Sequence, residues 1–282
     1  MRARAPASSA NLGPGFDTLA VALGLHVEVV VEPAPRLLVR AEGEGAELAT
    51  EPSNLAVKVA MEVAGHDRLS ISVRSSIPVG RGLGSSAALA VATAAAAGAD
   101  DPFAVAAATD GHPENAAASV LGGLVTATTV NGRPVAKSLA LDPDLAFVVL
   151  VPDRPLATSR ARAALAPSVS HADAAFNLGR MGLLLAGLAD RRQLMREATD
   201  DRLHQTARSP LFPEASTLLD GLHQAGARAA CWSGAGPSLV GFCDASRAAG
   251  VRDAGRTLLA RSGVPGRVLL LRADTTGLRT WA

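Results

Sequence analysis

The sequence predicts an α+β chain built as two successive α/β halves. Three observations carry the prediction. The length, 282 residues, is about two domains at roughly 150 residues each. Strand-type and helix-type patterns alternate along the chain, with no internal repeat and no linker longer than a few residues. An Asp142-Pro143 turn near the middle separates two such runs, which sets the halves at residues 1–141 and 142–282.

In the first half, His26–Val31 and Leu37–Arg40 are β-branched or alternating runs separated by Pro33 and Pro35, hence two strands joined by a turn. A helix follows, with Ser53 as cap, Leu55, Val59 and Val63 at helical spacing, and Gly65 as its end. Leu69–Val73 reads as a strand, which leads through a glycine-rich loop into an alanine-rich helix over Ser85–Ala97. Asp101-Pro102 and Pro113 each open a short helix, the second closed by Gly122-Gly123. Leu124–Val130 and Pro134–Leu139 flank Asn131-Gly132, a hairpin signal.

The second half starts with a hydrophobic strand, Ala146–Val151, and a helix near Thr158. A long helix over Ala172–Leu188 carries Met181, Leu184, Leu185 and Leu188 on one face. Helices at Glu214–Gln224 and Ser246–Ala260 alternate with strands at Arg228–Trp232, Leu239–Cys243 and Arg267–Leu271.

Composition narrows the function. With 48% hydrophobic and 19% charged residues the chain is a compact folder. The net charge is +1, and Arg is spread along the chain with Lys58 and Lys137 as the lysines, so no basic arm or acidic tail marks a nucleic-acid partner. Six Phe, two Trp and no Tyr leave little for base stacking. Cys231 and Cys243 are too few for a disulfide framework or a zinc site and read as buried thiols. The N-terminal MRARAPASSANLG lacks the apolar run of a secretory signal, so a cytoplasmic location is expected. Gly82–Ala99 is uncharged but is made of Ala, Gly, Ser and Thr, too weakly apolar for a membrane span.

The most informative stretch is Pro78-Val79-Gly80-Arg81-Gly82-Leu83-Gly84-Ser85-Ser86. Its glycines let the backbone approach an anion, and it feeds a helix N-terminus, where free N–H groups and the dipole favour phosphate. Ser85 and Ser86 add hydroxyls, either of which could reach a magnesium ion. It is not a Walker A loop, since no lysine follows the last glycine. The competing reading is an ordinary strand-to-helix turn capped by Ser85. A second glycine loop, Ser233-Gly234-Ala235-Gly236-Pro237-Ser238, would alone read as a hairpin connection.

Together the two loops resemble the second and third signatures of the GHMP kinases (galactokinase, homoserine, mevalonate and phosphomevalonate kinases), and PASSANLGPGFD at Pro6–Asp17 is similar to the first. Within that superfamily the chain resembles the homoserine kinase family nearly end to end. DGHPENAAASVLGG (Asp110–Gly123), LATSRARAALAPSVSHADAAFNLGR (Leu156–Arg180) and DRLHQTARSPLFP (Asp201–Pro213) carry the resemblance with the first signature. It implies a two-domain GHMP kinase fold: an N-terminal ATP-binding domain over 1–141 with a left-handed βαβ crossover, and a ferredoxin-like C-terminal domain over 142–282. It also implies ATP-dependent phosphorylation of the L-homoserine hydroxyl on the threonine route, with Mg2+ as metal and a homodimer as the family-like assembly.

By the same resemblance, ATP lies along Pro78, Gly80, Arg81, Gly82, Leu83, Gly84, Ser85 and Ser86, with Asn54 near the adenine. Asn11 and Asp17 take the hydroxyl and ammonium side of the zwitterion, and Arg162 and Arg208 clamp its carboxylate, a role that suits a planar, always-charged guanidinium. His112, Asn115, Thr158 and Gly234 line the pocket. Asp110 stands where the family has a magnesium-binding glutamate, with Ser86 as its partner ligand; Asp is one methylene shorter, and the following Glu114 one longer than the family's Asp. The family lacks an obvious base, so Asn115 orients the hydroxyl for in-line attack, and Asp110 and Arg162 complete the catalytic set. Two rivals are another GHMP small-molecule kinase and a non-catalytic ligand sensor of the same fold.

Overall fold

The computed structural model describes residues 1–50 and 54–281. The first half comprises β1 (Arg2–Ala10), β2 (Leu19–Pro33), β3 (Leu38–Gly43), α1 (Leu55–Ala64), β4 (Leu69–Ser75), α2 (Ser85–Ala96), α3 (Pro102–Asp110), α4 (Pro113–Leu121), β5 (Leu124–Val130) and β6 (Arg133–Leu139). The second comprises β7 (Leu145–Pro152), α5 (Thr158–Ala163), α6 (His171–Ala189), α7 (Gln205–Arg208), α8 (Ala215–Gln224), β8 (Ala229–Trp232), β9 (Leu239–Asp244), α9 (Ala248–Arg261), β10 (Gly266–Leu271) and β11 (Arg279–Trp281). No helix among the described residues is long and apolar enough to cross a membrane.

Local chemistry explains most boundaries. The side chain of Asn54 accepts the Val57 N–H at 3.1 Å and caps α1; the expected cap, Ser53, lies outside the described residues. Gly65 ends α1 in the left-handed conformation. Asp101 caps α3, accepting from the Ala104 N–H at 3.0 Å with Pro102 in the first turn. Asn131 and Gly132, at φ 51° and 76°, turn β5 into β6 as a two-residue hairpin.

The first sheet runs β11-β1-β2-β4-β3, with β5 and β6 joined through β2. Long β2 pairs with β1 along one edge and shares its other edge between β5 and β4. β2 and β3 are therefore not the neighbours that their short connection suggests. β4 lies between them, and β3 and β4 form the one parallel pair among the described strands, crossed over by α1.

The second sheet, β10-β7-β9-β8, is antiparallel throughout, and with α8 and α9 it has the βαββαβ order of a ferredoxin-like unit. The last strand, β11, crosses back to pair with β1.

α2 explains the uncharged alanine-rich stretch. Its residues from Ala87 to Ala96 are almost all buried, so small side chains are needed on every face to let β1, β2 and the helices α1, α3 and α4 approach. Along β7 the burial is two-sided. Phe147, Val149 and Val151 join the core shared with the first sheet, while Ala146, Val148 and Leu150 join the core under α8 and α9.

Candidate active site

The glycine loop leaves β4 and enters α2 with Gly80, Gly82 and Gly84 at φ 66°, 70° and 63°. Left-handed residues alternating with ordinary ones turn successive N–H groups to one side, a concave nest for an anion. Gly84, not Ser85, occupies the cap position of α2, so Ser85 and Ser86 sit in the helix's first turn and line the cleft in front of it. The competing reading, a turn capped by Ser85, is not what the structure has: the left-handed Gly84 ends the loop, and no side chain caps the helix.

The second glycine loop packs directly under the first. The Ser233 hydroxyl donates to Gly82 O at 2.7 Å, which leaves it to accept from Ser9 Oγ at 2.8 Å. Gly234 N donates to Ala10 O at 2.9 Å and Ser8 N to Leu83 O at 3.1 Å. β1 and both loops are thus stitched into one floor.

Above that floor a cleft of about 530 Å³ gathers every residue singled out from the sequence: Asn11, Asp17, Asn54, the loop from Pro78 to Ser86, Asp110, His112, Asn115, Thr158, Arg162, Arg208 and Gly234. Val39, Leu48, Leu55, Val73 and Val79, with Asn54 among them, line an apolar slot of this cleft. The Arg81 guanidinium is turned away from this space and donates to the carbonyls of Pro152, Val79 and Asp153, so at that position only the backbone is on offer to a phosphate.

The polar end is built from the β1–β2 turn and the segments after β7. Asn11, Leu12 and Asp17 all have positive φ, between 50° and 68°, a conformation that costs non-glycine residues free energy and clusters at functional sites. Asn11 is fixed at both ends of its amide, donating to Gly234 O at 2.9 Å and accepting from Asp17 N at 3.0 Å. Arg162, one helical turn after Thr158 on α5, holds Asp17 in a two-pronged ion pair at 2.9 and 3.0 Å.

The same guanidinium lies 3.2 Å from Nε2 of His112, a contact only the neutral ring can accept. The Asp110 carboxylate, 3.4 Å from Nδ1, raises the His112 pKa.

Arg208 is 2% exposed, and no carboxylate among the described residues pairs with it. Its guanidinium donates to Gly234 O at 3.2 Å, Ala161 O at 3.4 Å and Nδ1 of His204 at 3.0 Å. Burial lowers its pKa to about 10, which keeps it charged at neutral pH and leaves a buried cation in need of an anion.

Three contributors were not read from the sequence as site residues. Ser8 donates to Asn115 Oδ1 at 2.8 Å while Asn115 Nδ2 donates to Glu114 Oε1 at 3.0 Å, so the Asn115 amide is held in one orientation. Glu114 is 1% exposed with Oε2 unpartnered, and burial raises its pKa to about 7. The Phe16 ring lies beneath both arginines, 5.7 Å from Arg162 and 5.6 Å from Arg208.

An apolar slot, a glycine-loop nest and a set of opposite charges share one cleft, and segments in both halves of the chain match models of the GHMP kinases. The N terminal domain of the GHMP kinases matches residues 53–123, and the GHMP kinases C terminal model matches residues 183–260. The structure of homoserine kinase from Cytophaga hutchinsonii superposes with a TM-score of 0.85 at 23% identity, covering 99% of this chain and 96% of that one. Mevalonate kinase from L. major, solved with R-mevalonate, superposes at 0.75 and 15% identity, over 96% and 95% of the two chains.

Among curated sequences, homoserine kinase from Leifsonia xyli is 39% identical over 97% of this chain and 90% of its own. That from Streptomyces coelicolor is 41% identical over 88% and 86%. The chain belongs to the homoserine kinase family.

Proposed function

We infer that this chain transfers the γ-phosphoryl group of ATP to the side-chain hydroxyl of L-homoserine, giving O-phosphohomoserine and ADP. The observation that carries the reading is Arg208, a buried guanidinium without an acid partner, in the same cleft as the glycine nest. A substrate that brings a carboxylate satisfies it; an uncharged alcohol leaves it stranded. The Asp17–Arg162 pair supports the same reading, since an α-amino acid supplies an ammonium for Asp17 and a carboxylate for the arginines.

In this reading Asn54 and the apolar slot take the adenine, and the N–H groups of Gly80–Ser86 cradle the phosphates at the start of α2. Gly234 and Thr158 close the acceptor end. Asn115, locked by Ser8 and Glu114, directs the homoserine hydroxyl at the γ-phosphorus. The bond from that oxygen to phosphorus forms as the bond to the β-phosphate oxygen breaks, ADP carries off the electron pair of the broken bond, and the hydroxyl proton passes to a non-bridging oxygen of the transferred phosphoryl group. Phosphoryl transfer through a loose transition state is driven by positioning and charge rather than by a strong base.

The Asp110 carboxylate and the Ser86 hydroxyl are hard oxygen donors that both line the cleft, a pair whose chemistry fits Mg2+, which takes few protein ligands beside phosphate oxygens and water. The ion, when bound with ATP, would neutralise charge on the β- and γ-phosphates. A cytoplasmic homodimer completes the proposal, and sedimentation equilibrium reads the dimer directly.

The test is ADP release with Mg-ATP against L-homoserine, shikimate, mevalonate and galactose. Turnover confined to homoserine is expected. Turnover on another acceptor would replace the substrate, and binding of homoserine without turnover would make the chain a ligand sensor.

A further inference from the structure

His204 is buried between the β1–β2 turn and Arg208, yet it reaches neither the cleft nor solvent; it is 0% exposed. Its two ring nitrogens have different partners. Nδ1 lies 3.0 Å from Nη1 of Arg208, and Nε2 lies 2.8 Å from Gly13 O. A guanidinium only donates, so Nδ1 must accept; a carbonyl only accepts, so Nε2 must carry the hydrogen. The ring is therefore a neutral imidazole in one tautomer, and burial, which lowers its pKa to about 4, agrees with that.

The backbone below is anchored just as firmly. Asp201 accepts the N–H groups of Leu203, His204 and Gln205 at 3.0, 2.8 and 2.7 Å. Above, the ring stacks on Phe16 at 5.2 Å with 25° between the planes.

What the two nitrogens join is informative. Gly13 belongs to the strained β1–β2 turn that presents Asn11 and Asp17, and it sits so close to Thr199 that a Cβ would lie 2.5 Å from Thr199 O. Arg208 is the buried cation on the other side of the same space.

We propose that His204 is a positioning residue that fixes the span between the Asp17 turn and Arg208, and so sets the separation of the sites for the substrate's ammonium and carboxylate. The proposal rests on the amino-acid acceptor reading above. It makes His204 act through Arg208 and the turn, with no contact to substrate or nucleotide.

The experiment is a double-mutant cycle. Wild type, His204→Leu, His204→Gln, Arg208→Ala and the two combined variants with Arg208→Ala are measured for KM of homoserine, KM of ATP, kcat, homoserine Kd by calorimetry, and thermal midpoint. His204→Leu is expected to weaken homoserine by about tenfold, the size of one lost bond to a charged group, with KM for ATP within about twofold of wild type. Adding His204→Leu to Arg208→Ala should cost about nothing further.

Gln carries an acceptor and a donor on one amide, so His204→Gln should lie between wild type and Leu. If His204→Leu fails to fold, the cycle with Gln decides the same question. Equal losses toward ATP and homoserine, or additive losses in the Arg208→Ala background, would overturn the proposal. The two readings fail separately. A wild type that binds homoserine without turnover sinks the kinase reading while the Kd cycle still tests His204; a wild type that does not bind it sinks both.

Discussion

Glu114 is the residue whose chemistry is least like that of its type in water. Its carboxyl is 1% exposed, accepts from Asn115, and leaves Oε2 without a partner, so burial moves its pKa from an ordinary 4.5 to about 7. A raised carboxyl pKa means that between those two values the folded chain holds a proton the unfolded chain has lost. Stability then falls as pH rises through that window, by about 3 kcal/mol in full.

Glu114→Gln keeps the acceptor for Asn115 and cannot ionise. We expect equal thermal midpoints at pH 5 and a midpoint several degrees above wild type at pH 8. Parallel midpoint-versus-pH curves for the two proteins would show that Glu114 is already ionised at little cost. This residue was visible in the sequence only as a departure from the family's Asp. Its environment depends on Ser8, 107 positions away from Asn115, and no local pattern contains that contact. His204 and Phe16 were hidden for the same reason, although both lie within segments whose resemblance was recognised. The loop glycines were legible because their chemistry is carried by residue type and spacing, whereas Arg208 was legible only through the resemblance of DRLHQTARSPLFP to the family's segment.

At the scale of elements, the two glycine loops act as one. A Cβ on Gly82 would lie 2.2 Å from Ser233 O and 2.9 Å from Gly236 N, both backbone atoms that cannot swing aside. Gly80 has a similar positive φ, but its nearest neighbour would be Pro155 Cβ at 3.5 Å, an ordinary contact. Gly80→Ala should therefore carry backbone strain alone, about 1–2 kcal/mol. Gly82→Ala adds overpacking and should cost about 2–5 kcal/mol. It should also lose kcat, because the nest is pushed off its floor. Melting curves of the pair check this, and equal midpoints would mean that the loops move independently.

The elements missed from the sequence have physical reasons. β1, RARAPASSA, lacks the β-branched and aromatic residues that announce a strand, because Ala3, Ala5 and Ala7 must be small to lie in the core with α2. Pro6 would ordinarily break a central strand and is accommodated where the β1–β2 register shifts. β11 has three residues, too few to carry a pattern.

The whole molecule has two sheets and two family domains, a composition that usually allows separate unfolding. The packing argues otherwise. Phe147, Val149 and Val151 of β7 share a continuous core with Val27, Ile71 and Leu83 of the first half, while the alternate residues of the same strand face α8 and α9. Pulling the halves apart would split that continuous core, and the chain end at β11 would also have to leave β1. Arg191, with Asp142, Asp144 and Asp244 all within salt-bridge reach, instead ties the start of the second half to its own sheet and adds nothing across the boundary. The active site has the same dependence, since its floor is made of β1, the first-half loop and the second-half loop together.

We therefore expect one cooperative denaturant transition. Trp281→Phe leaves Trp232, 2% exposed in the second-half core, as the fluorescent reporter of that half. Its midpoint should coincide with that of far-UV circular dichroism, which reports both sheets. A fluorescence midpoint displaced from the dichroism midpoint would mean that the second half unfolds on its own. The shared face of β7 would then contribute too little to couple the sheets, and the site would be lost as soon as the weaker half opened.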